Sequence, residues 1–534
     1  MGAALLLLFT SCALLLGSRA ALDTSFKEYK FRTKLDHFAF HNNKTFEIRY
    51  VMADQYWDHD GGPIFFYAGN EAELEKFIRN TGIMWEWAPE FNALVVFAEH
   101  RYYGQSLPFG DKSYELKFCD DGDEVDVFRK LNFCDDGDEV DVSEGDDFHT
   151  LQSPNNIGYL ASEQALADYA DLILHLKYTL PGAEMSPVVA FGGSYGGMLA
   201  AWFRLKYPHI VDAALASSAP VNMSPGLVPC GKFNEAVTAA FERESQLCAD
   251  AIRKSWTELQ KLGYSEAGCR QLGKKFGLCQ SLHPSNYTLL RDWIKESYSI
   301  LALANFPEPS DLVGALPAYP VREACKDFIE APANNRSALV DAVVKAVSVL
   351  CNSTGKRRCN DVFIFQRNLG GYRFQTCNEL MMATCGNGVT DMFFPYTWNA
   401  TAERERCWKE FGVWPDFYRT IMLYGGDSFE TATNIIFSNG ELDPWSAVGV
   451  LEPPSDDVVV LLIPGVAHHA DLRFSRPSDS PELVRARQIE KNYIRHWISN
   501  FADVGDRRLQ VLVDRVSDKK KKQRKRKLLI KHLL

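Results

Sequence analysis

A serine between glycines is the strongest chemical signal in the sequence. Ser194 stands in Gly192-Gly193-Ser194-Tyr195-Gly196, after the apolar run Val188–Phe191 and before a helix-compatible stretch. This strand–turn–helix context predicts a nucleophile elbow, in which small residues let the neighbouring backbone approach closely. The helix N-terminus favours developing negative charge, and the backbone N–H of Tyr195 would donate to an oxyanion. We therefore predict that Ser194 is a catalytic nucleophile.

Two later strand-like runs each end near residues that complete a catalytic triad. One run is followed by Glu441 and Asp443, and the other by His468 and His469. A nucleophilic serine needs a histidine base and a carboxylate that orients it, in the chain order Ser, Asp, His. These positions predict Asp443 as the orienting carboxylate and His468 as the base. The residues alone separate them poorly from Glu441 and His469, which stay open as alternatives.

A second oxyanion donor is expected from the loop after an early strand. Gly69 and Asn70 follow the apolar run Pro63–Tyr67, with Glu71 next in the chain. We predict that this loop faces the nucleophile. A plain β-turn is the alternative interpretation of the same residues.

The candidate catalytic residues must be positioned by a fold, and short apolar runs predict the strands of that fold. The runs predicted as buried strands are Pro63–Tyr67, Ala93–Ala98, Val188–Phe191, Asn434–Phe437 and Val458–Ile463. A helical pattern begins at Ser162, between two of these runs. Strands alternating with helices predict an α/β fold with a mostly parallel sheet. The alternation stops near Val221 and returns near Gly426, which predicts a helical insertion into one α/β domain.

The expected organisation has five parts. Residues 1–21 carry an apolar run that is too short to span a membrane and predict a secretory signal peptide. Residues 22–224 and 427–505 are predicted to form the α/β domain, and 225–426 the insertion. A basic tail covers 506–534. No second apolar run has the length of a membrane span.

The charge is distributed unevenly along the 534 residues. The formal net charge is −11, with 46% hydrophobic residues, which excludes a wholly disordered chain and argues against general nucleic-acid binding. Segment 116–147 contains the decapeptide FCDDGDEVDV twice, and its Asp spacing does not fit an EF-hand. We predict a solvated acidic loop there.

Cysteines and glycosylation motifs indicate the secretory pathway. Ten of the 13 cysteines lie between Cys230 and Cys407, which predicts disulfides formed in an oxidising compartment. No cysteine spacing is typical of a zinc site, and the predicted chemistry needs no metal or cofactor. Six Asn-x-Ser/Thr motifs favour a glycoprotein. They begin at Asn43, Asn222, Asn286, Asn335, Asn352 and Asn399.

Several sequence blocks together resemble the serine carboxypeptidase family that contains lysosomal Pro-X carboxypeptidase and dipeptidyl peptidase II. The similarity covers nearly all of the mature chain except the acidic repeat and the basic tail. The blocks are Phe65–Glu71, Phe97–Gly104, Ser162–Asp168, the Ser194 elbow, Ile435–Trp445 and Ala467–Arg473. The resemblance implies an α/β-hydrolase fold with a helical, disulfide-bonded cap. It also implies a triad of Ser194, Asp443 and His468.

Further roles are implied by the resemblance alone. It places Met198 and Trp445 at a proline-binding pocket, counts Glu71 as substrate-binding, and puts Asp391 where the dipeptidyl branch holds a substrate amine. It leaves Cys269 and Cys351 unpaired. The implied disulfides are Cys230–Cys385, Cys248–Cys325, Cys279–Cys359 and Cys377–Cys407.

The resemblance favours an exopeptidase that releases the residue after proline from a C-terminus. Release of N-terminal X-Pro dipeptides is the alternative, because the two branches share the triad. Another serine hydrolase, such as an esterase, and a non-catalytic binding protein of the same fold also stay open. The expected partners are peptides with proline near a terminus, with a homodimer as one assembly to test. The expected location is the lysosome or the extracellular space.

Overall fold

Eight strands form one mixed sheet, and its parallel part holds the predicted site. The computed structural model describes residues 22–114, 156–330, 335–362 and 370–501. Within them the sheet order is β1-β2-β4-β3-β5-β6-β7-β8, antiparallel from β1 to β4 and parallel from β4 to β8. The strands are β1 Lys27–Lys34, β2 Thr45–Ala53, β3 Ile64–Ala68, β4 Leu94–Ala98, β5 Val188–Gly193, β6 Ala213–Ser217, β7 Ile435–Gly440 and β8 Val458–Ile463.

Helices cover both faces of this sheet, which explains why its central strands are continuous apolar runs. One face packs on α3 and α4, and the other on α2 and α14. Every residue of β3, β4, β5, β6 and β7 is buried. These helices are α1 Leu74–Asn80, α2 Gly82–Phe91, α3 Ser162–Thr179, α4 Tyr195–Lys206 and α14 481–501.

Nine described helices lie between β6 and β7 and form the helical cap. Most of them share an apolar core of their own, separate from the two cores against the sheet. They are α5 Lys232–Glu244, α6 Gln246–Gly263, α7 Glu266–Phe276, α8 Tyr287–Leu303, α9 Pro320–Glu330, α10 Arg336–Cys351, α11 Gly370–Asn378, α12 Ala400–Phe411 and α13 Arg419–Tyr424. The expected α/β-hydrolase fold with a helical cap is confirmed.

Four disulfides cross-link the described part of the cap. They join Cys230 to Cys385, Cys248 to Cys325, Cys279 to Cys359 and Cys377 to Cys407, the pairs implied by the resemblance. Cys269 and Cys351 are free and buried. Closing loops of 30 to 155 residues restricts the unfolded chain, so each bridge favours the folded cap.

Three strands were not predicted from the sequence, for physical reasons. β1 is an exposed, lysine-rich edge strand, and β2 pairs with it in an antiparallel ladder. β6 reads Ala-Ala-Leu-Ala-Ser, whose alanines favour helix over strand. β6 is nevertheless fully buried between β5 and β7, where Leu215 pairs with Phe191 on one side and with Ile436 on the other. Tertiary packing therefore overrides local propensity at this strand.

Three predicted features lie outside the described residues: the signal peptide 1–21, the acidic repeat in 116–147, and the basic tail 506–534. In the described ranges, no helix combines the length and apolar character of a membrane span.

Candidate active site

Ser194 occupies a sharp turn between β5 and α4. Its backbone has φ 60° and ψ −127°, a conformation that non-glycine residues rarely adopt, and its N–H donates to Ser217 O at 3.0 Å. From Ser186 to Phe203 every residue except Ser194 is buried. The turn therefore presents one partly exposed hydroxyl above an otherwise closed core.

The glycines around Ser194 are required by close backbone approach. A Cβ on Gly192 would lie 1.9 Å from Gly196 O, and a Cβ on Gly196 would lie 2.9 Å from the Asn70 side-chain oxygen. A Cβ at either position would therefore collide with the turn or with the loop after β3. The second contact also shows that Asn70 lies directly against the elbow, as the sequence predicts.

Asp443 and His468 are brought together by the loops after β7 and β8. His468 Nδ1 lies 2.8 Å from Asp443 Oδ2, and both side chains are almost fully buried. An N–H at Nδ1 that donates to the carboxylate leaves Nε2 free to accept a proton. The His468 backbone N–H donates to Leu303 O at the end of α8. A cap helix thus helps to hold the histidine loop.

The two rival residues have different surroundings. Glu441 is exposed and accepts hydrogen bonds from Arg243 and from Gly465 N, both at 2.8 Å. His469 is buried, and its backbone N–H donates to Ser218 Oγ at 2.8 Å. Burial, together with electrostatic influences from His468 and Arg473, holds the pKa of His469 well below its usual value. Neither rival contacts Asp443 or His468 as a hydrogen-bond partner.

The loop after β3 is held against the elbow by several hydrogen bonds. A Cβ on Gly69 would lie 2.0 Å from Ala98 O, and Gly69 O accepts from Tyr169 at 2.7 Å. The Asn70 side-chain amide donates to Glu71 Oε2 at 2.9 Å. Desolvation raises the pKa of Glu71, against the opposing influence of its hydrogen bonds and of His468. Glu71 is half-buried in this loop and within electrostatic range of His468.

Trp445 lies where the α/β domain meets the cap. It is the second residue of a short 3-10 helix that begins at Pro444, and it is half-buried. Its indole packs on Phe233 of α5 at a ring-centroid distance of 4.9 Å. Met198 is only 1% exposed and packs in the core under the elbow. No local motif in the sequence marks Phe233, because its role depends on packing against Trp445, which is distant in the chain.

Asp391 is fully buried, and its carboxylate binds its own loop. The two oxygens accept from the backbone N–H groups of Asn387, Gly388 and Phe393 at 2.8, 3.3 and 2.8 Å. Three amide donors already surround this carboxylate. Among the described residues, no cluster of three or more His, Cys, Asp or Glu side chains is arranged to hold a metal ion.

The glycosylation motifs differ in accessibility. Asn43 is exposed in the loop just before β2, whereas Asn222 is half-buried and donates to Gly449 O at 3.1 Å. The other four side-chain oxygens accept from nearby backbone N–H groups. These acceptors are Asn286, Asn335, Asn352 and Asn399.

The sheet, the elbow and the buried Asp–His pair define an α/β-hydrolase of the serine type. The model of the family described as Serine carboxypeptidase S28 matches residues 33–124 and 148–490. The chain belongs to this family and is a serine-type peptidase.

Individual proteins agree with the family match. The chain is 40% identical to human "Lysosomal Pro-X carboxypeptidase" over 489 residues, covering 91% of each protein, and 41% identical to the bovine protein of the same name over 488 residues, covering 91% of this chain and 90% of that one. A solved proline iminopeptidase from Mycobacterium smegmatis aligns with a TM-score of 0.36 and 11% identity, covering 88% of this chain and 100% of that one. That last similarity is too remote to carry an argument.

Proposed function

We propose that the protein is an exopeptidase that hydrolyses the bond after proline and releases the C-terminal residue. The observation that carries the proposal is the buried 2.8 Å contact of Asp443 with His468, together with the partly exposed Ser194 on its strained turn. The high similarity to two mammalian proteins named Pro-X carboxypeptidase supports the substrate class.

The proposed chemistry is acyl transfer through Ser194. His468 takes the hydroxyl proton, and Ser194 Oγ attacks the carbonyl carbon of proline. The backbone N–H groups of Tyr195 and of the Gly69–Asn70 loop would stabilise the oxyanion. The departing amine takes the proton from His468, and water then hydrolyses the acyl-enzyme with His468 as base again. Loss of one oxyanion donor typically costs about 2.7–4 kcal/mol.

The proposed proline pocket joins the α/β domain to the cap. Trp445 offers a half-buried indole, with Phe233 packed against it, and Met198 supports the elbow from below. A pyrrolidine ring is apolar and packs well on aromatic faces. We propose Glu71, beside Asn70 and near His468, as a contact for the substrate portion nearest the oxyanion loop.

The dipeptidyl alternative is not favoured. It needs a carboxylate that is free to pair with a substrate amine, and Asp391 was the expected residue. Three backbone N–H groups already donate to that carboxylate in its buried loop. An amine ligand would have to displace these donors.

One peptide in two forms tests the proposal. A peptide ending in Pro-Phe, with proline also in its second position, is offered free and N-acetylated, and the products are identified by mass. We expect release of phenylalanine from both forms and no release in Ser194→Ala. Release of an N-terminal dipeptide that acetylation abolishes would overturn the carboxypeptidase proposal.

We further propose a secretory-pathway glycoprotein that acts in the lysosome. The support is the name of the mammalian relatives and the exposure of motifs such as Asn43. Among the motifs, Asn222 is the least suited to glycan attachment, because its amide is half-buried and bonded to Gly449. The homodimer stays a prediction, which sedimentation of the purified protein tests.

A further inference from the structure

A buried hydrogen-bond network connects the cap to the side chain that follows the nucleophile. Gln375 of α11 donates from its amide nitrogen to the Tyr195 hydroxyl at 2.9 Å, across 180 positions of sequence. Its amide oxygen accepts from the Tyr103 hydroxyl at 2.5 Å. Gln375 is fully buried, as is Tyr195 apart from 3% of its surface. The cap therefore contacts the elbow directly through a polar side chain.

The Tyr195 hydroxyl has one further partner, and this partner fixes the direction of the chain of hydrogen bonds. Burial lowers the pKa of His100 to about 4, so the ring is neutral at any working pH. His100 Nδ1 faces Arg101 O at 2.6 Å and must carry the proton, because a carbonyl only accepts. His100 Nε2 then accepts from Tyr195 at 3.2 Å. The Tyr195 hydroxyl is thus held by one donor and one acceptor.

The same network reaches the first residue of α3 through Glu379. This carboxylate follows α11 directly and accepts from Ser162 N at 2.9 and 3.0 Å, from Ser162 Oγ at 2.5 Å, and from Gln375 at 2.9 Å. Ser162 Oγ also lies 2.9 Å from the Tyr424 hydroxyl. Glu379, a residue of the helical cap, thereby accepts hydrogen bonds at the N-terminus of α3 in the α/β domain, where the helix dipole favours a carboxylate.

We propose that Gln375 and Glu379 form a latch that positions the oxyanion donor of the elbow. The proposal rests on the proposed function and deepens it. Tyr195 supplies its backbone N–H to the oxyanion, and its side chain is anchored by the latch. Gln375 and Glu379 act through Tyr195 and Ser162 and touch no reacting atom, so both are positioning residues.

The latch also has a proton that responds to pH. Burial and the nearby Glu163 raise the pKa of Glu379 to about 7. Glu163 is itself paired with Arg419 of α13. Because its pKa is raised in the folded state, the Glu379 proton stabilises the folded chain; this contribution is complete below the ordinary glutamate pKa near 4.5 and is lost as pH rises through 7. The protonated carboxyl can donate to Ser162 Oγ, whose hydroxyl then turns to Tyr424.

The first test removes the amide while keeping its volume. We expect Gln375→Leu to lower kcat about tenfold with KM within twofold, because a displaced oxyanion donor loses part of its contribution only in the transition state. Thr376→Ala is the matched control, since Thr376 bonds only to Arg373 O on its own helix. A kcat for Gln375→Leu equal to that of the control would overturn the proposal.

A double-mutant cycle separates positioning from general destabilisation. Tyr195→Phe keeps the backbone N–H and removes the anchored hydroxyl. We expect Gln375→Leu/Tyr195→Phe to lose no more kcat than the worse single variant, because both changes break one connection. Multiplied losses would contradict the latch. The rate at which a fluorophosphonate labels Ser194 gives the same comparison without a peptide, so failure of the Pro-X specificity alone leaves this test intact.

Substitution of either of two acidic residues should shift the pH dependence of kcat, and the two shifts should have opposite directions. For the wild type we expect kcat to fall as pH rises through 7, where Glu379 ionises. Glu379→Gln cannot ionise, so any alkaline fall in its kcat should lie above pH 8. Glu163→Gln removes a repulsive charge and lowers the pKa of Glu379, so the fall should begin at lower pH than in the wild type. Both variants keep the side-chain size, and thermal melting at pH 5 verifies folding. Profiles that coincide with the wild type would show that Glu379 does not titrate in the latch.

Discussion

At the scale of single residues, the catalytic roles depend on which groups are isolated from water and which are not. Asp443 and His468 are buried and bonded to each other, whereas Glu441, two positions before Asp443, is exposed and bonded to Arg243. A carboxylate that is fixed and dehydrated orients a histidine better than one on a surface loop. The chemical roles therefore follow from the environment more than from residue type.

This contrast gives a matched pair of variants. We expect Asp443→Asn to lower kcat by about 10⁴, because the amide would favour the wrong histidine tautomer while geometry is kept. Glu441→Gln should stay within about twofold of the wild type, since it loses only a surface ion pair. Steady-state kinetics on one Pro-X peptide measure both. Equal losses in the two variants would contradict the assignment of Asp443.

At the scale of elements, α14 carries a buried carboxyl behind the histidine loop. Glu490 is fully buried near Asp471, which accepts from Ser217 Oγ at 2.5 Å. Neither oxygen of Glu490 has a hydrogen-bond partner of normal geometry, and the second oxygen of Asp471 has none either. Arg487 donates to the backbone oxygens of residues 470, 471 and 473 and to Asp479. Two buried acids thus lie close together, with the charge of Arg487 as an opposing electrostatic influence on both.

The pair predicts a loss of stability at high pH. Burial and the charge of Asp471 raise the pKa of Glu490 well above its usual value. Its stabilising contribution is complete below about pH 4.5 and is lost as pH rises through the raised pKa. We expect Glu490→Gln to raise Tm at pH 8 by about 2–4 °C, the shift for roughly 1 kcal/mol in a large domain.

The control for this prediction lies on the same helix. Glu482 is exposed, so Glu482→Gln should leave Tm unchanged at both pH 5 and pH 8. The gain of Glu490→Gln should be smaller at pH 5, because a larger fraction of the wild-type Glu490 carries its proton there than at pH 8. A Tm gain that is equal at the two pH values would show that packing, and not ionisation, explains the effect.

At the scale of the whole molecule, local sequence signals predict the catalytic residues better than they predict the residues that position them. The elbow needs only glycines next to Ser194 after a buried strand, and Asp443 and His468 follow buried strands at the same sheet edge. These relations can be inferred from a few neighbouring residues. The contact of Gln375 with Tyr195 joins distant positions on different elements, and no local pattern indicates it. The choice of His468 over His469 likewise came from family resemblance and not from the residues.

The acidic repeat gives the last prediction at this scale. Residues 125–147 hold the second copy of the repeat and lie outside the part of the chain that matches its family. Residues on both sides of the insert belong to the match, and every residue proposed for the chemistry lies within it. We expect deletion of 125–147 to leave kcat/KM on a Pro-X peptide within twofold and Tm within about 2 °C.

A second variant separates the charge of this segment from its length. Replacing its Asp and Glu residues by Asn and Gln keeps the chain length and removes the negative field, which would attract cationic substrates at low salt. If the segment assists binding by charge, both variants raise KM for a lysine-containing peptide at low ionic strength, and salt abolishes the difference. If only the deletion impairs activity, length is what matters. Unchanged kinetics in both variants are the expected result, because every residue proposed for the chemistry lies elsewhere.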